Sequence, residues 1–115
     1  MTIQRLNVRA RSSSAVIHNQ TVYLAGQVGT PGESVADQTR TILASMDRLL
    51  GEAGTDKSRL LQATIWLADM ADFEEMNAVW DAWVALGNPP PRATGQSRLA
   101  LPEYRVEIIA VAALP

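Results

Sequence analysis

The chain has no cysteine and a single histidine, His18, in 115 residues. Without cysteine there is no disulfide framework, no thiolate nucleophile and no thiolate metal site. One histidine excludes a Cys/His zinc site and makes a His-rich metal site implausible. The usual nucleophilic triads cannot be assembled either. Long apolar runs are also missing: nothing approaches a membrane span, and Met1–Leu6 lacks the apolar core of a signal peptide. The expected address is the cytoplasm. A basic excess is absent too, with ten Lys+Arg against twelve Asp+Glu, a net charge of −2 and a pI near 5.3. Nucleic acid is therefore not expected as the main partner.

What is present is an ordinary globular balance, 47% hydrophobic and 19% charged. The length supports one core, so residues 1–115 are expected to form a single domain; two would each be too small to hold a core without staples.

Residues 3–9 read as an edge strand. Residues 15–18 and 22–25 flank Asn19-Gln20-Thr21 as a hairpin. Residues 26–32 hold three glycines and a proline and read as a loop. Ser34, with Asp37 three residues on, signals a helix start. Val35, Ile42, Met46, Leu49 and Leu50 form its apolar stripe, and Gly51 and Gly54 mark its end. Residues 60–68 read as a central strand. Asp72 and Glu75 repeat the cap signature for a second helix, buried through Phe73, Met76, Trp80, Trp83 and Val84. Gly87-Asn88-Pro89-Pro90-Pro91 stops it. Residues 92–97 and 105–112 read as the last strands. In the final one Val106, Ile108, Ala110 and Ala112 face one way, while Arg105, Glu107, Ile109 and Val111 face the other.

The expected order is β-β-β-α-β-α-β-β, an α+β fold with both helices on one face of the sheet. Ile109 and Val111 then leave an apolar strip on the uncovered face, for which self-association is the economical answer.

Carboxylates, arginines and backbone groups remain to carry chemistry. Arg92 follows a stiff Pro-Pro step, and its planar guanidinium suits a carboxylate ligand; a plain surface arginine is the other reading. Glu107 sits in an otherwise apolar strand. It reads either as an acid/base or water-orienting group, or as a cross-strand ion pair with Arg105 or Arg98. His18 reads as a solvated turn residue, and Trp66, Trp80 and Trp83 read as core. Gly26, Gly29 and Gly32 lack the spacing of a phosphate-binding loop.

Several segments, in order, resemble one family. They are Tyr23-Leu24-Ala25-Gly26-Gln27, Gln38-Thr39, Ala53-Gly54, Ala63–Met70, Asp72-Phe73, Met76-Asn77, Trp80, Pro91-Arg92-Ala93-Thr94 and Val106-Glu107-Ile108. Together they resemble the RidA (YjgF/YER057c) family over residues 15–112. The resemblance implies a chorismate-mutase-like fold and a homotrimer with ligand clefts between subunits. It implies hydrolysis of reactive enamines and imines such as 2-aminoacrylate to 2-oxo acids and ammonia, with no cofactor or metal. A non-catalytic ligand-binding or regulatory trimer of the same fold is the alternative. In the family's scheme the arginine matching Arg92 clamps the substrate carboxylate, and the glutamate matching Glu107 orients or activates water. Gly26 and Asn77 match other cleft positions. Two departures mark a divergent member. Thr94 stands where the archetype has cysteine, and Ser12 falls near the place of a cleft aromatic, so the pocket wall differs.

Overall fold

The computed structural model describes residues 2–115. Its strands are β1 (Gln4–Val8), β2 (Ser13–His18), β3 (Thr21–Leu24), β4 (Gln27–Val28), β5 (Leu60–Leu67), β6 (Arg92–Gln96) and β7 (Val106–Ala113). The helices are α1 (Val35–Ala53) and α2 (Phe73–Trp83). The sheet runs β1-β2-β3-β7-β5-β6, with β4 pairing β7 beyond the end of β3. All pairings are antiparallel except β5–β6, which is parallel and is bridged by α2. The fold is the expected mixed sheet with its two helices.

Local chemistry explains most boundaries. Asn19 and Gln20 both have positive φ, 53° and 62°, the geometry of a two-residue hairpin turn. Thr21 is therefore already in β3, opposite His18, rather than part of the turn. Ser34 caps α1 by accepting from the Asp37 N–H at 3.1 Å. The Asp37 carboxylate does not reach back; it pairs with Arg40 at 2.7 Å. Gly54, at φ 92°, ends the helix, whereas Gly51 lies inside it.

Three expectations give way. The segment 26–32 is not all loop, because Gln27 and Val28 form β4 opposite Ile108 and Glu107. Two residues are too few to display a strand period. Asp72 makes no side-chain cap for α2; it accepts from Arg105 at 2.7 Å. Glu75 likewise serves a neighbour, accepting from the Ala36 N–H at the start of α1 at 2.9 Å. Both acids are taken by tertiary partners.

Burial follows the two periods. The stripe of α1 meets Ile65, Leu67, Val106 and Ile108 from the sheet, all fully enclosed. Each such side chain contributes about 1.5–3 kcal/mol on burial. Ile109 and Val111 lie on the opposite face with Tyr23, which is 48% exposed. Trp66 is there as well, opposite Glu107, so it is not a core residue. The central pairing of β5 with β7 puts it on the bare side.

Candidate active site

Arg92 is the first residue of β6. The Ala63 N–H donates to the Pro91 carbonyl at 3.0 Å, and Arg92 pairs in register with Ala63, whose side chain is buried beneath the helices. Arg92 therefore points to the helix side. Its guanidinium lies 5.4 Å from the Trp80 ring centre and 5.9 Å from that of Phe73. Two rings from one helix thus hold the fork without neutralising it. Among the described residues Arg92 has no carboxylate partner.

Thr94 shares this side, in register with buried Ile65. Asn77 lies on α2, four residues after Phe73 and three before Trp80, on the same stripe. Asn77 Oδ1 and Thr94 Oγ1 are both enclosed and have no hydrogen-bond partner among the described residues. Such atoms are costly unless something satisfies them.

Glu107 lies on the other face. It pairs in register with Trp66 and Val28, half-buried on the bare side. Neither cation considered for it is its partner: Arg105 is bound to Asp72, and Arg98 makes no ion pair among the described residues. Arg105 does not share the Glu107 face as alternation suggests, because it precedes β7 and reaches to the start of α2.

Gly26 meets Glu107 through a bulge. From Tyr23 to Gln27 the chain takes four steps, while its partner takes three from Val111 to Ile108. The extra residue turns position 26 toward Glu107. A Cβ there would fall 2.4 Å from Glu107 Oε2, so a larger residue would have to displace the carboxylate. Ser12 and Gly26 line one small pocket of about 280 Å³.

The chain thus places the candidate residues in two groups. Arg92, Thr94 and Asn77 stand on the helix side; Glu107 and Gly26 stand on the other, with Ser12 joined to them through the pocket. Trp80 is a core residue as expected, with Phe73 packed against that core, and both also flank Arg92; Trp66 instead stands beside Glu107 on the other face. The clue for the first pair was a polar Asn77 inside an apolar helical stripe; nothing in the sequence gave the face of Trp66. Among the described residues no three His, Asp or Glu side chains converge as a metal site would need, and no helix is long and apolar enough to cross a membrane.

A mixed sheet carrying both helices on one side, with an arginine and a glutamate divided across it that have no ion-pair partner among the described residues, defines an α+β protein of two layers. The chain belongs to the family described as Endoribonuclease L-PSP, whose model matches residues 2–114, and with it to the RidA/YjgF group. It is 48% identical over 113 residues to a RutC family protein of Haemophilus ducreyi, covering 97% of each chain. It is 35% identical over 108 residues to the human protein named 2-iminobutanoate/2-iminopropanoate deaminase, covering 87% of this chain and 77% of that one. The crystal structure of a YjgF family member from Neisseria meningitidis superposes with a TM-score of 0.98 at 48% identity, covering 100% of this chain and 97% of that one.

Proposed function

We propose that the protein hydrolyses reactive imines and enamines of small 2-amino acids to 2-oxo acids and ammonia. One observation carries this reading: Arg92 and Glu107, opposite charges in half-buried settings, each lack an ion-pair partner among the described residues. A charge kept unpaired in such a place is kept for a ligand. The name of the human relative supports the substrate class.

The chemistry suits these groups. Arg92 binds the substrate carboxylate through two parallel N–H donors. A protonated imine carbon is already electrophilic, so positioning is most of the work. Glu107 orients a water and takes its proton as oxygen adds to the C=N carbon. Glu107 returns that proton to the carbinolamine nitrogen; as the C–N bond breaks, the hydroxyl proton leaves with the departing amine as ammonium, and the C=O of the 2-oxo acid forms. No step needs a cofactor or a nucleophilic side chain.

The two half-sites complete one another in a homotrimer. The bare apolar face of one copy, with its Glu107, packs beside the β6 edge of the next, with its Arg92. The whole chain acts as one domain in this assembly. RNA cleavage, which the family description carries, suits neither the net charge of −2 nor a lone histidine at a hairpin.

The test mixes purified protein with imines generated in situ by an amino-acid oxidase and follows their loss, with light scattering for mass. Acceleration abolished in Arg92→Ala, from a particle near three times 12.5 kDa, supports the proposal. Ligand binding without acceleration of any imine would make the protein a non-catalytic binder, and a monomer would remove the shared cleft.

A further inference from the structure

Across the uncovered face of the sheet, Val28 of β4, Glu107 of β7, Trp66 of β5 and Gly95 of β6 stand in register as one row. Paired residues point to the same face, so the Glu107 and Trp66 side chains rise side by side, with Cβ atoms about 4.5–5.5 Å apart. From there they lean away from each other. The Glu107 carboxylate is drawn toward β4, where Oε2, Cδ and Cγ all crowd the place of a Cβ on Gly26. The indole leans the other way. A Cβ on Gly95 would lie 3.0 Å from Trp66 Cζ3 and 3.5 Å from Cε3, so the six-membered ring reaches over β6. Each large side chain takes the room that a glycine leaves. Between them the face carries a gap, with a carboxylate on one side and an indole on the other.

Neither Gly95 nor Trp66 is explained by the fold alone. Gly95 does not have a positive φ, so its backbone conformation does not ask for glycine; what it supplies is space for the ring. Trp80 lies in the core, and Trp83 packs tilted against it, 5.4 Å between ring centres, and donates to Asp47. Trp66 is half-buried on the bare side. Among the described residues it has no aromatic neighbour, no cation over its ring and no hydrogen bond from its indole N–H. A large aromatic surface in that state is available to a ligand.

We infer that Trp66 is the specificity-determining residue of this site: seated over Gly95, its indole forms the apolar wall facing Glu107 and sets the size of the substrate side chain that the gap admits. The inference rests on the deaminase reading, which puts the reacting carbon before Glu107, and it concerns the selectivity that this reading leaves open. A carbon within reach of water held by Glu107 is also within reach of the indole one register position away. The substrate carboxylate goes to Arg92 and the nitrogen departs, so the side chain is the substituent left to meet the ring. An apolar side chain gains by leaving water against it. Once such a wall cannot yield, a single methylene is discriminated by about 10–200-fold.

The experiment follows the imines of alanine and leucine, each generated in situ by an amino-acid oxidase, with wild type, Trp66→Phe and Gly95→Val. The readout is the leucine-to-alanine ratio of kcat/KM, which a change in stability or in the amount of active protein does not move. Trp66→Phe draws the wall back, and the ratio should rise about tenfold; Gly95→Val pushes the ring toward Glu107, and it should fall about tenfold. Circular dichroism and light scattering check fold and mass. If Gly95→Val does not fold, Trp66→Phe alone decides. Ratios unchanged, or moved in the same direction by both variants, overturn the inference and leave the deaminase reading intact. Loss of the wild-type mass in Trp66→Phe would make Trp66 an interface residue and overturn the inference as well. If wild type accelerates neither imine, the deaminase reading fails, and calorimetric titration with 2-oxopropanoate and 4-methyl-2-oxopentanoate decides. A size preference shifted in opposite directions by the two variants then supports the wall; no binding, or a preference that the variants leave alone, overturns it.

Discussion

The Glu107 carboxylate occupies the space that a side chain at position 26 would need, since a Cβ on Gly26 would lie 2.4 Å from Glu107 Oε2. The obstructing atom is the far end of a flexible side chain, so the fold can adjust while the carboxylate cannot stay in place. Gly26→Ala should therefore keep its melting temperature and lose on the order of 10²-fold in kcat, the weight of a displaced acid/base group. Gly29→Ala is the contrasting case. Its Cβ would fall 2.7 Å from Gln38 Cα and 2.8 Å from the Gln38 carbonyl oxygen, both backbone atoms of α1. Urea titration should show it destabilised by about 1–3 kcal/mol.

Glu107 has no ion pair to lose among the described residues. Glu107→Gln should thus leave thermal stability and ligand binding unaltered while turnover falls by about 10²-fold. A lower melting temperature with unchanged turnover would remove Glu107 from the catalytic pair.

Arg92→Lys keeps the charge but gives up the planar fork and much of the stacking on Phe73 and Trp80. Activity should drop at least tenfold with the fold intact, because a carboxylate clamp depends on two parallel donors. Wild-type kinetics in this variant would place Arg92 away from the substrate.

Gln38 is fully buried and fully bonded: its amide donates to the carbonyls of Glu33 and Glu103, each at 3.0 Å, and its oxygen accepts from the Arg105 N–H at 2.8 Å. It ties the loop before α1 to the segment entering β7, two residues ahead of Glu107. Gln38→Ala should cost about 1–3 kcal/mol in denaturant titration, the penalty for stranded backbone groups.

Asp56 caps the short turn before β5, accepting from the Ser58 N–H at 2.8 Å and from its hydroxyl. The Ser58 hydroxyl, then the Ser58 N–H, hold its pKa below the ordinary carboxylate value. A depressed carboxylate stabilises the fold fully above its unfolded value and loses that contribution as pH falls through the folded one. Asp56→Ala should melt below wild type at neutral pH, and the gap should narrow as pH falls through the acid range below the ordinary carboxylate pKa. A gap independent of pH would mean that the charge plays no part.

Sequence by itself determined whatever depends on near neighbours. The stripe Val35, Ile42, Met46, Leu49, Leu50 fixed α1, and the alternation from Val106 to Ala112 fixed the two faces of β7, because side-chain direction follows local backbone period. Ser34 and Gly54 set the helix ends for the same reason. An ordered set of short motifs picked out Arg92 and Glu107. Tertiary structure alone decided where those residues stand. Asp72 reads as a helix cap until Arg105, distant in sequence, takes its carboxylate. Trp66 reads as core until the register opposite Glu107 puts it on the bare face. The bulge that turns Gly26 onto Glu107 exists only in the pairing of two strands, and a shift of one residue there would have reversed the face of every side chain beyond it. Register is a property of two segments at once, so neither segment's sequence contains it.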